Sequence, residues 1–150
     1  MQKIKPCLWF DNQLEDAVNF YRSIFKNSKI SETMRHPDGK LFTASFELEG
    51  QKFMGLNGGP HFTFNEAVSF FVSCADQAEV DYYWDRLLDG GKAQKCGWLK
   101  DRFGLSWQIV PDALMRYMTD PDREKANRVQ QAMMQMVKFD IAALDRAYAG

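Results

Sequence analysis

Apolar and polar positions along the 150-residue chain change period several times, and each change marks an element. From Lys3 to Phe10 the pattern is strand-like, with Ile4, Leu8 and Phe10 near one side and Cys7 and Trp9 on the other. Leu14, Ala17, Val18, Tyr21, Ile24 and Phe25 then recur at helical spacing, behind Asp11-Asn12 as candidate N-cap oxygens. That helix is predicted to end around Lys26 to Ser28. Lys29 to His36 reads as a strand, followed by a turn at Pro37-Asp38-Gly39, where Pro presets one φ and Gly accepts a positive one. Leu41 to Leu48 and Gln51 to Asn57 are further strands, joined at Glu49-Gly50. The order is β-α-β-β-β.

Gly58-Gly59-Pro60 breaks the chain, and from Glu66 the same order begins again. Val68, Phe70 and Val72 alternate, Asp76 is placed to cap, and Val80, Tyr83, Trp84, Leu87 and Leu88 repeat the first helix's positions at a constant offset. Gly90-Gly91 ends the second helix. Cys96 to Pro111 reads as a strand, a turn at Lys100 to Gly104, and a second strand. In that last strand Leu105, Trp107 and Ile109 point one way, Ser106 and Gln108 the other. The chain is thus read as a duplication, with modules at about 1–57 and 66–110 and a helical extension over 111–150, all within one domain.

In the extension, Leu114, Met115 and Met118 make a short helix. Asp120-Pro121 is read as cap and first helical position, with Val129, Met133, Met136 and Val137 continuing the helix. Asp140 caps a last helix carrying Ile141, Leu144 and Tyr148. The methionines at 133, 134 and 136 fit helix core or a subunit contact better than an adaptable ligand surface.

Composition narrows the functional classes. A net charge of −1 gives no electrostatic reach for nucleic acid or an anionic membrane. No apolar run approaches the roughly 20 residues of a membrane span, and no signal peptide is read at the start, so a cytoplasmic protein is expected. Cys7, Cys74 and Cys96 are odd in number and far apart, which suits neither a disulfide framework nor a thiolate zinc site.

Pro6 to Phe10, Phe20 to Phe25, Leu56-Asn57-Gly58-Gly59-Pro60, and Cys96 to Asp101 through Trp107-Gln108 resemble the PhnB-like branch of the vicinal oxygen chelate superfamily, with glyoxalase I, bleomycin-resistance proteins and extradiol dioxygenases. The resemblance extends over nearly the whole chain, tail included. It implies an α+β fold, with paired βαβββ modules forming a curved mixed sheet around a cavity, in a homodimer. The Pro37-Asp38-Gly39 connection is shorter than is usual in the branch. The branch bears the label 3-demethylubiquinone-9 3-methyltransferase.

Metal-using members of the superfamily take one His, Glu or Gln ligand from the first and last strand of each module. The matching positions here are Lys5 or Pro6, Met54, Ala67 or Val68, and Gln108. Gln108 alone could be a ligand, and one neutral amide oxygen does not hold a divalent ion, so no cofactor is expected. His36 beside a turn and His61 in the linker read as surface or loop residues. The methyltransferase label implies S-adenosylmethionine, yet no strand–glycine-loop–helix unit with a following acidic residue is present, and Gly58-Gly59 reads as a linker. Cys96, near Lys95 and Lys100 but without a placed base, reads as a structural thiol, and Asp101-Arg102 as a solvated turn. Trp9, Phe53, Phe71 and Trp98 could wall a flat ligand.

The expectation is therefore a small-molecule binding protein whose pocket is lined by Trp9, Asn57, Phe71, Trp98, Ser106 and Gln108. The alternative is a superfamily enzyme, lyase, dioxygenase or transferase, acting on a small oxygenated or aromatic metabolite. A regulatory or interaction module resting on the methionine-bearing tail is a third reading.

Overall fold

A computed structural model describes residues 2–150. The chain forms two compact units, residues 1–64 and 65–150, with the boundary inside the predicted linker.

The first unit contains β1 (Cys7–Phe10), α1 (Leu14–Ile24), β2 (Ser28–Arg35), β3 (Leu41–Leu48) and β4 (Gln51–Asn57), with sheet order β1-β4-β3-β2. β1 runs parallel to β4, and the other pairs are antiparallel. Leu14, Ala17, Val18, Tyr21 and Ile24 bury the apolar stripe of α1 among Leu8, Phe10, Phe46 and Phe53. Phe53 stacks on Phe46 with ring centroids 5.3 Å apart, so it belongs to the core rather than to a ligand wall. The first strand is four residues long; Lys3 to Pro6 precede it. Neither Asp11 nor Asn12 caps α1: the N-cap is Gln13, and the Leu14 N–H donates instead to Asn57 Oδ1 at 3.0 Å.

The second unit repeats the plan with β5 (Ser69–Cys74), α2 (Gln77–Leu88), β6 (Lys92–Ala93), β7 (Trp98–Lys100) and β8 (Ser106–Pro111), in sheet order β5-β8-β7-β6. Asp76 caps α2, its side chain accepting from the Glu79 N–H at 2.9 Å. Asp101 is not a solvated turn residue. It is only 3% exposed, and its carboxylate accepts from the Phe103 and Leu105 N–H groups and from Trp107 Nε1 at 2.8, 3.0 and 2.9 Å. One carboxylate thereby closes the β7–β8 turn and anchors the indole buried beneath it. Arg102 folds back onto Asp89, donating to its carbonyl and pairing with its carboxylate at 3.0 Å.

The extension forms α3 (Asp112–Met118), α4 (Arg123–Met133) and α5 (Ile141–Ala149). The cap of α4 is Asp122, whose side chain accepts from the Lys125 N–H, so Asp120-Pro121 lies ahead of the helix. α4 also ends at Met133, and Met136 and Val137 are not helical. Their carbonyls accept from the Cys96 and Gly97 N–H groups at 2.8 Å each. Cys96 and Gly97 both have positive φ, and a Cβ on Gly97 would lie 2.4 Å from the Phe139 ring. The tail thus packs against a bend in which position 97 has no room for a side chain. Met133 and Met136 pack against Val110, Leu114, Val129, Phe139 and Leu144, which makes them core, whereas Met134 is 53% exposed.

Candidate functional site

Hydrogen-bonded neighbours in a sheet share a face, so the pairing register sorts the expected site residues. Gln108 on β8 lies between Phe71 on β5 and Trp98 on β7, and Ser106 lies between Ser69 and Lys100. Phe71, Trp98, Ser106 and Gln108 therefore occupy two adjacent rows on one face of the second sheet. The opposite face carries Leu99, Trp107 and Ile109, all buried, with Phe70 against Trp107.

Each member of this patch has a distinct environment. Phe71, on the edge strand β5, is 49% exposed. Trp98 and Gln108 are half-buried. Gln108 Nε2 donates to Ser69 Oγ at 2.9 Å, which fixes the amide and leaves its oxygen as the outward acceptor. Ser106 is fully buried, and its hydroxyl has no hydrogen-bond partner among the described residues. Lys100 pairs with Glu66 at 2.7 Å, and that hydrogen bond and charge hold the Glu66 carboxyl below its ordinary value. Phe71 and Trp98 are two strands apart, ~9.5 Å between backbones.

Trp9 and Asn57 belong to the first unit and are not on one face of it. Trp9 shares the side of Cys7, Met54 and Leu56. Its Nε1 donates to the Gly59 carbonyl at 2.9 Å, and the Phe62 ring meets it edge-on at 4.9 Å. Gly58 passes so close that a Cβ there would come within 2.3 Å of the indole, and Gly59 has a φ of 93°. The glycine pair is thus a strap across Trp9, with no helix following it. Asn57 is paired with Phe10 and follows that residue's phase toward α1. Its amide caps α1 and donates to the Leu41 carbonyl at 2.9 Å, so both ends are engaged in holding the fold. Expecting Asn57 in a pocket missed this remote cap, which sequence proximity does not reveal.

Cys74 is buried, Cys96 half-buried and Cys7 exposed. Burial pushes the Cys74 thiol up to about 12, and burial also raises Cys7. Cys96 Sγ lies 3.8 Å from the Met133 carbonyl, within the tail packing. The His36 ring lies tilted against Phe42, and His61 sits beside Trp9.

The register also re-indexes the superfamily's metal positions. Cys7 pairs with Met54 as Phe71 pairs with Gln108, so Met54 and Gln108 are counterparts and Lys5 corresponds to Ser69. By this register Ala67 and Val68, which precede β5, are displaced from the counterpart of Lys5 by two residues and one. An ammonium, a thioether, a hydroxyl and an amide do not fit a divalent ion. Among the described residues, no three His, Cys, Asp or Glu side chains cluster to hold one.

Two units of this plan, each with a helix on one face of a mixed four-stranded sheet, define a glyoxalase-fold protein of the vicinal oxygen chelate superfamily. A family model described as 3-demethylubiquinone-9 3-methyltransferase matches residues 2–110, and the chain belongs to that family. A PhnB protein from Bacillus cereus is 33% identical, with a TM-score of 0.69 over 73% of this chain and 99% of its own. A Pseudomonas aeruginosa protein, 17% identical, superposes with a TM-score of 0.62 over 74% of this chain and 98% of its own. The fosfomycin resistance protein FosX of Listeria monocytogenes, solved with Mn(II) and sulfate, is 17% identical, with a TM-score of 0.55 over 71% of this chain and 90% of its own. Comparison with curated proteins gave no match. The family match stops at Val110, so the expectation that the resemblance includes the tail is not met.

Proposed function

We propose that this protein binds a flat, hydroxyl-bearing organic molecule, of the phenol or quinol class, on the face of the second sheet that carries Phe71 and Trp98. The single observation that carries the reading is the fully buried Ser106 hydroxyl without a partner, in the row beside Gln108. A buried hydroxyl left unpaired costs about 1–3 kcal/mol, and a ligand hydroxyl that parts the side chains covering it and bonds it would recover that cost. Phe71 and Trp98 would flank the ring, and the Gln108 amide oxygen would accept from a second ligand hydroxyl.

Binding without a metal is the favoured form, because the residues at the superfamily's ligand positions offer one amide oxygen and one hydroxyl at most. The test is a thermal-shift series with phenol, catechol and hydroquinone, with and without Mn(II), alongside elemental analysis of the purified protein. Stabilisation without added metal supports the reading. Stabilisation by catechol only with Mn(II), lost in Gln108→Ala, would favour the superfamily enzyme instead.

The protein is further proposed to act as a homodimer in a reducing compartment. The free thiols of Cys7, Cys74 and Cys96 are consistent with the latter. Light scattering on the eluting protein should give twice the 17.4 kDa chain mass; a mass of one chain would refute the dimer.

A further inference from the structure

A cavity of about 390 Å³ opens on the first unit, lined among others by Lys5, Lys29, Glu32, Ser45, Glu47 and Lys52. Its geometry depends on an irregularity in β2. The register against β3 slips between Ile30 and Glu32, so that Ile30 pairs with Phe46 while Glu32 pairs with Ser45. The additional residue, Ser31, donates from its hydroxyl to the Ser45 carbonyl at 3.3 Å. Without that bulge Glu32 would follow Ile30 toward the core side; with it, Glu32 joins the cavity lining.

The charges in the cavity separate into a closed pair and an open set. Lys29 and Glu47 neutralise each other at 3.0 Å. Lys5 and Lys52 have no carboxylate partner among the described residues, and Glu32 has no cationic one. Two ammonium groups and one carboxylate acceptor therefore face one small volume. A bare dianion would satisfy the lysines but meet repulsion from Glu32. An oxyanion that keeps an acidic proton satisfies all three, with charged oxygens toward Lys5 and Lys52 and its O–H donating to Glu32.

We propose that this cavity is a binding site for inorganic hydrogen phosphate, and that Glu32 makes it reject fully deprotonated oxyanions. The proposal is independent of the ring site on the second unit. It is tested by calorimetric titration of the whole protein at pH 8 with inorganic phosphate, sulfate and methyl phosphate. Phosphate should bind one per chain, at least tenfold more tightly than sulfate or the monoester, neither of which carries a proton for Glu32. Glu32→Gln should remove the discrimination by admitting sulfate, and the double variant Lys5→Gln/Lys52→Gln should weaken phosphate at least tenfold. All three side chains are exposed, and far-UV circular dichroism should confirm that the variants fold. Equal affinity for phosphate and sulfate in the unaltered protein would overturn the proposal, as would phosphate binding unchanged in the double lysine variant.

Discussion

At the scale of single residues, three polar side chains in the protein have opposite fates. Asp101 is buried and accepts from two backbone N–H groups and an indole. Removing it strands three donors, so Asp101→Ala should lower stability by about 3 kcal/mol, read from urea unfolding. Asn57 is likewise committed to the fold, and Ser106 is buried with nothing to bond. The alternation Leu105-Ser106-Trp107-Gln108 announces which face each occupies. It does not announce partners, because these come from a turn, a remote helix terminus or nowhere. Cys74 supplies a pH test. Desolvation, then the charges of Glu79 and Asp112, raise its thiol from 9.0 to about 12. A raised folded value means the stabilisation is present below 9 and is lost as the pH climbs toward 12. Cys74→Ala should therefore flatten the alkaline loss of thermal stability between those values, relative to the unaltered protein.

Among the elements, the tail shows how the helical pattern was legible and its ends were not. Helix periodicity locates α4 and α5, but Met136 and Val137 leave the helix because their carbonyls are bonded to Cys96 and Gly97 in another segment. Gln77 on α2 reinforces the same joint, donating to the Phe139 carbonyl and accepting from the Ile141 N–H. Gly97→Ala should disturb this joint, since it combines a positive φ with the Phe139 contact. We expect a loss of about 2 kcal/mol or more in urea unfolding. The three tail helices are also tied by Tyr148, whose hydroxyl donates to Asp120 at 2.6 Å and whose ring stacks on Tyr117 at 4.4 Å. That hydrogen bond holds the Asp120 carboxyl below 3.8 and the Tyr148 phenol above 10.0. The depressed carboxyl contributes stability above 3.8 that fades as the pH falls through its folded value, and the raised phenol contributes below 10.0 and fades as the pH rises. Tyr148→Phe should reduce both limbs, measured as thermal midpoint against pH.

For the molecule as a whole, the duplication was the most legible feature, because two helices carry matching apolar positions and two glycine-bearing breaks separate the strands. Of the six residues expected in the pocket, four share one sheet face. Phe71, Trp98, Ser106 and Gln108 come together because they share strand phase in one unit, whereas Trp9 and Asn57 lie on opposite faces of the other. The family model and the Bacillus cereus chain account for the paired modules, and the helices beyond Val110 are this chain's addition to the matched region.

The central claim, a ligand hydroxyl at Ser106, is tested most directly by the thermal midpoint of the unaltered protein and Ser106→Ala, each with and without catechol. Removing an unpartnered buried hydroxyl should raise the midpoint of the free protein by about 2–4 °C, the equivalent of roughly 1 kcal/mol. The same substitution should abolish most of the catechol-induced rise seen in the unaltered protein. A free Ser106→Ala protein that melts lower, together with a catechol response equal in both proteins, would contradict the account.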